Sequence, residues 1–305
     1  MVFSRGEPGT LKMPVADGPD FLCIGMHKSG TQWLYDQVQG HPDFWMPPLK
    51  EIHYLDRGKE AGRSAQKVLD QERSTSRPGS TRQSAITDPR DRAFLEEMAS
   101  HLGKPLDLDR YASLFRHKGD LLSGDITPQY GELDEGIVAN VAGRFPRVTV
   151  FLLIRDPVSR AWSHISQWHR QGRFDRSKAR VLQDENKFRH FLARSKKLQR
   201  FSSATRVAER WTRHVGLDRF RHIFFDDIAN RPDAARRDIL LTLGADPVKS
   251  SGEIDPDFNR KSHHQKLDFS SGMEAVLADF LKDELQRSAA MFGGHAKDWA
   301  AKYGF

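Results

Sequence analysis

The sequence predicts a doubly wound α/β fold, in which a mainly parallel sheet is flanked by helices. Short uninterrupted apolar runs, typical of strands that are covered on both faces, alternate with segments of helical periodicity. Polar loops directly follow two of these runs. In a sheet of this class ligands bind beyond the carboxyl ends of the strands, so these loops indicate where the functional site lies.

Three apolar runs are the predicted strands. The first, residues 21–25, ends at a glycine-containing loop that leads into a helix. The second, residues 148–154, is the strongest strand signal, and Asp156-Pro157 follows it as the N-cap and first-turn proline of a helix. The third, residues 222–225, precedes another helical segment. Strands and helices therefore alternate along the chain.

The composition of the remaining segments predicts a single domain that follows a flexible N-terminal tail. Residues 1–18 are rich in Gly and Pro without a sustained period, and we expect a flexible tail followed by a single domain over 19–305. Residues 57–92 contain few aliphatic side chains, so they are expected to form an exposed polar insertion, a candidate lid. Apolar residues at helical spacing over 273–285 predict one amphipathic helix.

Charge and hydropathy narrow the class of protein. The chain has 305 residues, with 48 Lys+Arg against 41 Asp+Glu and a formal net charge of +7. Positive charge suits an anionic ligand and equally fits nucleic-acid binding, so charge alone does not decide between them. The most apolar run has seven residues, whereas a bilayer span needs roughly 20. No secretory signal is visible, and we expect a cytoplasmic protein without a transmembrane segment.

The loop after the first predicted strand has the character of a phosphate-binding site. Its backbone N–H groups and the positive end of the next helix would face an anion, as in a P-loop. It differs from a Walker A loop, because here the lysine precedes the second glycine. Lys28 is placed to reach an oxygen that bridges a transferred group to its nucleotide, while the hydroxyl groups of Ser29 and Thr31 can donate to phosphate oxygens.

A second anion-binding segment begins where the strongest strand ends. Arg155 supplies a forked guanidinium, and Ser163 lies about two helical turns beyond the predicted N-cap. Two anion sites on neighbouring strands indicate a ligand with two separated phosphate-like groups.

These two segments resemble the motifs of the sulfotransferases that use 3′-phosphoadenosine 5′-phosphosulfate (PAPS). Residues 28–33 (KSGTQW) are similar to the 5′-phosphosulfate loop of that family, and Arg155 with Ser163 is similar to its 3′-phosphate motif. The looser part of the resemblance covers 48–54, 124–130 and 224–228. It implies a PAPS-dependent sulfotransferase that releases adenosine 3′,5′-bisphosphate and needs no metal.

The resemblance also implies a role for each matching residue. Lys28 would stabilise the leaving phosphate oxygen, Thr31 and nearby amides would hold the 5′-phosphate, and Trp33 would pack on the adenine. Arg155 and Ser163 would hold the 3′-phosphate, over which the family often closes a late basic loop. The residues expected to contact the cofactor are Lys28, Ser29, Gly30, Thr31, Gln32, Trp33, Arg155, Ser163, Arg260 and Lys261.

On the acceptor side, the carbohydrate branch of the family uses the glutamate of a Lys-Glu-x-His-aromatic segment as general base. This chain has that segment, so Glu51 is the expected base and His53 is the alternative. Thr127 and Tyr130 are expected to line the acceptor pocket. Many carbohydrate sulfotransferases have a lysine where this chain has Ile126, so the acceptor stays open: a hydroxyl or amine of a carbohydrate, lipid or small metabolite.

Other classes of function stay open at this point. An ATP-dependent phosphotransferase would need Mg²⁺ and an acidic ligand such as Asp226, but the Walker A ending is missing. A non-catalytic module would bind nucleic acid or an anionic membrane through the basic residues of 187–221, although nucleic acid is not the expected partner. A sulfotransferase-like fold that has lost turnover is a third possibility. The sequence predicts no oligomeric state.

Overall fold

A four-stranded parallel sheet flanked by helices forms the centre of the protein. The computed structural model describes residues 17–75, 86–173, 180–195, 198, 201–249, 267 and 269–305. Every neighbouring pair of strands is parallel, in the order β2-β1-β3-β4. The strands are β1 (Phe21–Cys23), β2 (Gly124–Ile126), β3 (Thr149–Ile154) and β4 (Phe220–Phe224). The α/β class predicted from the sequence is therefore confirmed.

Helices connect the strands and continue after the last one. None of those in the described ranges is long and apolar enough to cross a membrane. They are α1 (Thr31–Gln39), α2 (Tyr54–Arg57), α3 (Arg63–Thr75), α4 (Pro89–Ser100), α5 (Leu108–Ser113), α6 (Glu135–Arg144), α7 (Pro157–Arg170), α8 (Glu185–Arg194), α9 (Ala204–Val215), α10 (Phe225–Asn230), α11 (Pro232–Thr242), α12 (Ser271–Phe280), α13 (Lys282–Phe292) and α14 (His295–Lys302).

Both faces of the sheet are buried, which explains the uninterrupted apolar runs. Along β1, Leu22 belongs to one hydrophobic cluster, while Phe21 and Cys23 belong to another on the opposite face. Leu152 and Phe151 of β3 divide between the same two clusters. Successive strand side chains point to opposite faces, so each strand must be apolar on both when helices cover the two sides.

The order of the strands places the ligand crevice between β1 and β3. The chain runs from β1 to β2 on one side and continues to β3 and β4 on the other, so the direction of winding changes at β1. Ligands of such sheets bind at this switch point, beyond the carboxyl ends of the strands. The two predicted anion-binding segments follow β1 and β3, one at each wall of this crevice.

Three details of the predicted elements need correction. The third predicted strand ends at Phe224, and Phe225 already begins α10. The single helix predicted over 273–285 is two helices, α12 and α13, with Leu281 between them. Strand β2 was not predicted, because it has only three residues and its centre is the polar Asp125.

The predicted exposed insertion is wrong for the part that forms α3. Ala65 and Leu69 of this helix are buried in the main hydrophobic cluster, so the few aliphatic residues of the segment suffice to anchor it. At the start of α3 the backbone of Gly62 approaches α4 so closely that an added Cβ would lie 2.5 Å from the carbonyl oxygen of Met98. Residues 76–85 of this segment and residues 1–16 of the predicted tail lie outside the described residues.

Candidate active site

The loop between β1 and α1 leads into a helix whose N-terminus has no side-chain cap among the described residues. Gly30 is the N-cap of α1 with φ 97°, a left-handed conformation that glycine adopts without strain. An added Cβ would lie 3.2 Å from Ile228 and 3.3 Å from Phe225, so the loop also needs a small residue here. The first turn of α1 has no acidic residue and no side-chain cap, which leaves its positive end available to an anion.

The side chains of this loop fit a phosphate-like ligand. Ser29 is fully buried, and its hydroxyl group has no hydrogen-bond partner among the described residues. A buried hydroxyl without a partner is costly, and oxygen atoms of a bound anion would satisfy it. Thr31 is also buried, whereas Lys28 is half-buried and has φ 69°. These features of the loop are compatible with an anionic ligand.

Arg155 connects the two predicted anion-binding segments. Its Nη1 donates to the backbone carbonyl of Lys28 at 3.2 Å, and its guanidinium lies over the ring of Phe225 at 4.4 Å. Burial lowers the pKa of Arg155, while the charges of Asp156 and Asp226 oppose this shift, so the group stays a cation. The predicted helix start is confirmed, since Asp156 accepts from the N–H of Val158.

Along α7, Ser163 is half-buried and lies about two turns after the N-cap Asp156, and no hydrogen bond joins its side chain to Arg155 among the described residues. Arg160, between them, was not singled out in the sequence. It is 2% exposed, and neither terminal nitrogen has a hydrogen-bond partner within the described ranges. Burial lowers its pKa to about 10, with Glu284 opposing, so Arg160 is a buried cation at neutral pH.

The imidazole of His53 lies between two carboxylates, those of Glu51 and Asp56. Nε2 of His53 is 3.1 Å from Oε2 of Glu51, and Nδ1 is 2.9 Å from Oδ2 of Asp56. The three side chains are between 14% and 24% exposed. Both ring nitrogens therefore face carboxylate oxygens, a geometry that favours the doubly protonated imidazolium.

The electrostatics separate the two candidate bases. Burial acts to lower the pKa of His53, but its hydrogen bonds to Asp56 and Glu51 outweigh this and raise the pKa to about 9. Burial acts to raise the pKa of Glu51, but the hydrogen bond from His53 outweighs it, and the pKa lies below its usual value. At neutral pH His53 is thus charged and Glu51 ionised. His53 as the alternative base does not fit this geometry, because it has no free lone pair.

The raised pKa of His53 predicts a loss of stability in alkali. A His whose pKa is higher in the folded state stabilises the fold below pH 6.5, and this stability is lost as pH rises through about 9. Between pH 7 and 10 the wild type should lose about 2 kcal/mol more of its free energy of unfolding than His53→Gln. Urea unfolding at both pH values measures this difference. Equal losses in the two proteins would contradict the charged state of His53.

His27 is a further titratable group at this site that the sequence reasoning missed. Burial lowers its pKa, and the charge of Glu51 and a hydrogen bond with Gln129 oppose the shift only in part. Its ring lies 6.0 Å from that of His164 and 5.7 Å from that of Phe201. The only signal for it in the sequence is its place directly before Lys28.

Three predicted contact residues are largely or fully buried. Trp33 is 7% exposed and packs in the hydrophobic cluster under α1, and its contact with adenine stays a prediction. Thr127 and Tyr130 are fully buried, and both donate to Asp125, so they do not line an acceptor pocket. Ile126 is likewise buried, in the same cluster as Trp33.

Of the remaining predicted cofactor residues, the structure describes Gln32 but not Arg260 or Lys261. Gln32 is half-buried in the first turn of α1, and its amide donates to Asp36 at 2.8 Å. Arg260 and Lys261 lie outside the described residues.

Comparison with known proteins agrees with this fold. A crystal structure of a sulfotransferase from Alicyclobacillus acidocaldarius is similar with a TM-score of 0.62 and 21% identity, covering 92% of this chain and 98% of that one. The sulfotransferase domain from the curacin biosynthetic pathway is similar with a TM-score of 0.51 and 15% identity, covering 87% and 98%. No protein of curated function matches the sequence. The profile of the sulfotransferase family matches residues 19–248, which is more than half of the chain. The chain therefore belongs to the sulfotransferase family.

Proposed function

We propose that this protein transfers the sulfuryl group of PAPS to a hydroxyl or amine of a carbohydrate, lipid or small-metabolite acceptor. The observation that carries the proposal is the joining of two anion-binding segments at the switch point of the sheet. The loop after β1 and Arg155 after β3 are held together by the hydrogen bond from Arg155 to the carbonyl of Lys28. A ligand with two separated phosphate groups matches this arrangement.

Each residue of the loop has a task in binding. The N-terminus of α1, with Ser29, Thr31 and the backbone amides, would hold the 5′-phosphate, and Ser29 would gain the partner that it lacks. Arg155, with Ser163 further along α7, would hold the 3′-phosphate. The bound nucleotide would supply the sulfuryl group. No metal is part of the proposal.

The chemistry of the transfer needs a cation and a base. Lys28 would place its ammonium where the leaving phosphate oxygen gains negative charge. Glu51, ionised at neutral pH, would accept the proton that the acceptor loses as its oxygen or nitrogen bonds to sulfur. His53 would hold the Glu51 carboxylate in place through their 3.1 Å contact. Three further points stay predictions: a cytoplasmic location, a single domain over 19–305, and the cofactor contacts of Arg260 and Lys261.

The basic-module alternative has less support, because several of the described basic residues on which it depends have partners within the protein. Arg189 pairs with Asp279 at 2.6 Å, and Arg210 donates to the backbone carbonyl of Leu133 at 2.8 Å. Cations that are engaged in this way contribute less to a polyanion-binding surface. The phosphotransferase alternative is tested by comparing the stabilisation that different nucleotides give.

Thermal unfolding with four ligands tests the proposed function. Adenosine 3′,5′-bisphosphate is expected to stabilise the protein, by about 2.7 kcal/mol at 100 times its dissociation constant. Adenosine 5′-phosphate, ADP, and ATP with Mg²⁺ should have clearly smaller effects, because each lacks the 3′-phosphate. Equal stabilisation by ATP with Mg²⁺ would favour the phosphotransferase, and no stabilisation by any nucleotide would contradict the proposal.

The buried Arg160 gives a separate prediction about this nucleotide site. Its charge influences both His27, next to Lys28, and Arg155, so its field reaches the anion site. In Arg160→Met the ligand-free protein should lose little stability, because removing a buried guanidinium whose terminal nitrogens have no hydrogen-bond partner in the described part of the chain offsets the lost attraction to Glu284. Adenosine 3′,5′-bisphosphate should nevertheless bind about tenfold more weakly, as measured by titration calorimetry.

The matched control is Arg189→Met, the same substitution at an exposed arginine that pairs with Asp279. It should leave nucleotide affinity unchanged. Destabilisation of Arg160→Met with unchanged affinity would show that Arg160 has only a structural role.

A further inference from the structure

One buried carboxylate links the sheet to the segment that carries Glu51 and His53. Asp125, at the centre of β2, is fully buried and accepts three hydroxyl hydrogen bonds. Thr127 donates to Oδ1 at 2.7 Å, while Tyr130 and Tyr111 donate to Oδ2 at 2.7 Å and 2.9 Å. Buried carboxylates are rare, because burial disfavours the charge unless donors satisfy it.

Two of these hydroxyl groups also contact the backbone at the start of α2. The N–H groups of Tyr54 and Leu55 donate to the phenol oxygen of Tyr130 at 3.0 Å and 3.3 Å. The N–H of His53 donates to Oγ1 of Thr127 at 3.4 Å. These N–H groups have no partner within their own helix, so two side chains from the segment that follows β2 cap α2 from outside.

The ionised carboxylate decides the direction of these hydrogen bonds. A carboxylate only accepts, so Thr127 and Tyr130 must donate their protons to Asp125 and can offer only lone pairs to the backbone. Burial raises the pKa of Asp125 to about 6, against its three hydroxyl donors, so the group is ionised at pH 7 and above. A neutral group in its place would no longer fix the direction of either hydroxyl hydrogen, and a hydroxyl that turned its hydrogen toward the α2 N–H groups would accept from them less well.

We propose that Asp125 is a positioning residue, which fixes the Glu51–His53 segment by orienting the hydroxyl groups of Tyr130 and Thr127 as acceptors. The inference rests on the proposed function only in so far as Glu51 is the base. His53 is the N-cap of α2 and has φ 58°, a conformation that residues other than glycine rarely adopt, so its backbone depends on outside contacts. Loss of those contacts would move the imidazolium away from Glu51 and Asp56.

Tyr111 provides a matched control for this network. Its hydroxyl group donates to the same oxygen of Asp125, but among the described contacts it accepts nothing from the α2 backbone. Its ring stacks on that of Tyr54 at 5.1 Å, a contact that phenylalanine would keep. Tyr130→Phe and Tyr111→Phe thus remove the same chemical group from the same carboxylate, and only Tyr130→Phe removes the acceptor for Tyr54 and Leu55.

The test is an NMR titration of the His53 ring in the wild type and both variants, together with kcat and KM. In Tyr130→Phe the pKa of His53 should fall from about 9 by at least one unit, toward its usual value. The kcat should fall about tenfold to a hundredfold, with the KM for PAPS nearly unchanged. In Tyr111→Phe the pKa of His53 should stay within about 0.3 unit of the wild-type value and kcat within about twofold, even if the protein is less stable.

Equal effects of the two variants on the pKa of His53, or no effect of either, would overturn the proposal. If Tyr130→Phe does not fold, Asp125→Asn takes its place in the test. The amide of Asn both donates and accepts, so one of the hydroxyl groups must turn. An unchanged pKa of His53 in Asp125→Asn would also overturn the proposal. The titration needs no turnover. A wild type without sulfuryl transfer would therefore refute the proposed function while the positioning role is still tested.

Discussion

Lys28→Ala is expected to reduce sulfuryl transfer by about a hundredfold to a thousandfold while the protein stays folded. The transfer places negative charge on the leaving phosphate oxygen, and a preorganised cation at such an atom contributes about 2.7–4 kcal/mol to the transition state. Lys28 lies in the loop at the end of β1, and Arg155 fixes its backbone carbonyl at 3.2 Å. The kcat of the variant, measured by release of adenosine 3′,5′-bisphosphate, gives the effect.

Lys187→Ala is the control for this substitution. Lys187 is exposed on α8 and lies 3.5 Å from Asp184, outside the loops at the ends of β1 and β3. Its removal should leave kcat unchanged. A Lys28→Ala variant within about threefold of the wild-type kcat would exclude Lys28 from the reacting centre.

Glu51→Gln is expected to reduce kcat by about a hundredfold to ten-thousandfold, the usual contribution of a general base. The amide keeps the shape of the side chain but has no carboxylate lone pair to take the acceptor proton. Nucleotide binding should be nearly unchanged, because Glu51 is assigned to the acceptor and its carboxylate pairs with His53. Single-turnover rates with saturating PAPS separate this chemical effect from binding.

The pH profile of kcat distinguishes Glu51 from a histidine base. The pKa of Glu51 lies below its usual value, so protonation of Glu51 itself should lower the rate only below the ordinary glutamate range, and an acidic limb near pH 6 should come from Asp125 and be absent in Asp125→Asn. Glu60→Gln, at an exposed glutamate that pairs with Arg63, is the control and should behave as the wild type. An acidic limb that remains in both Glu51→Gln and Asp125→Asn, with kcat retained in Glu51→Gln, would instead identify His27 as the base.

Local patterns in the sequence predicted the parts of the fold and site that depend on local chain geometry. A buried parallel strand is apolar at every position, and the loop that follows it is adjacent in sequence, so β1 with Lys28 and β3 with Arg155 could be recognised. Strand β2 gave no such signal. Asp125 reads as a surface residue until the distant Tyr111 and Tyr130 are seen to donate to it.

The surroundings of individual site residues depend on packing, which the sequence does not reveal. Trp33 is two residues into α1, and only the packing of that helix decides whether its ring faces the core or a ligand. The charge of His53 depends on Asp56 and Glu51 approaching both ring nitrogens at once, which residue spacing does not reveal. Arg160 is buried only because of the elements that surround α7. The packing around Trp33 and Arg160 joins residues far apart in sequence, whereas the contacts of His53 are local but depend on side-chain and backbone conformation. A single sequence reports neither.

Titration calorimetry with two nucleotides tests the central claim most directly, namely that the ends of β1 and β3 together bind a nucleotide with a 3′-phosphate. Adenosine 3′,5′-bisphosphate and adenosine 5′-phosphate are titrated into the wild type and Arg155→Ala. In the wild type the 3′-phosphate should strengthen binding at least about tenfold, or about 1.4 kcal/mol, and in Arg155→Ala most of this preference should vanish. Two results would contradict the account: a preference for the 3′-phosphate that is as large in Arg155→Ala as in the wild type, or no such preference in the wild type.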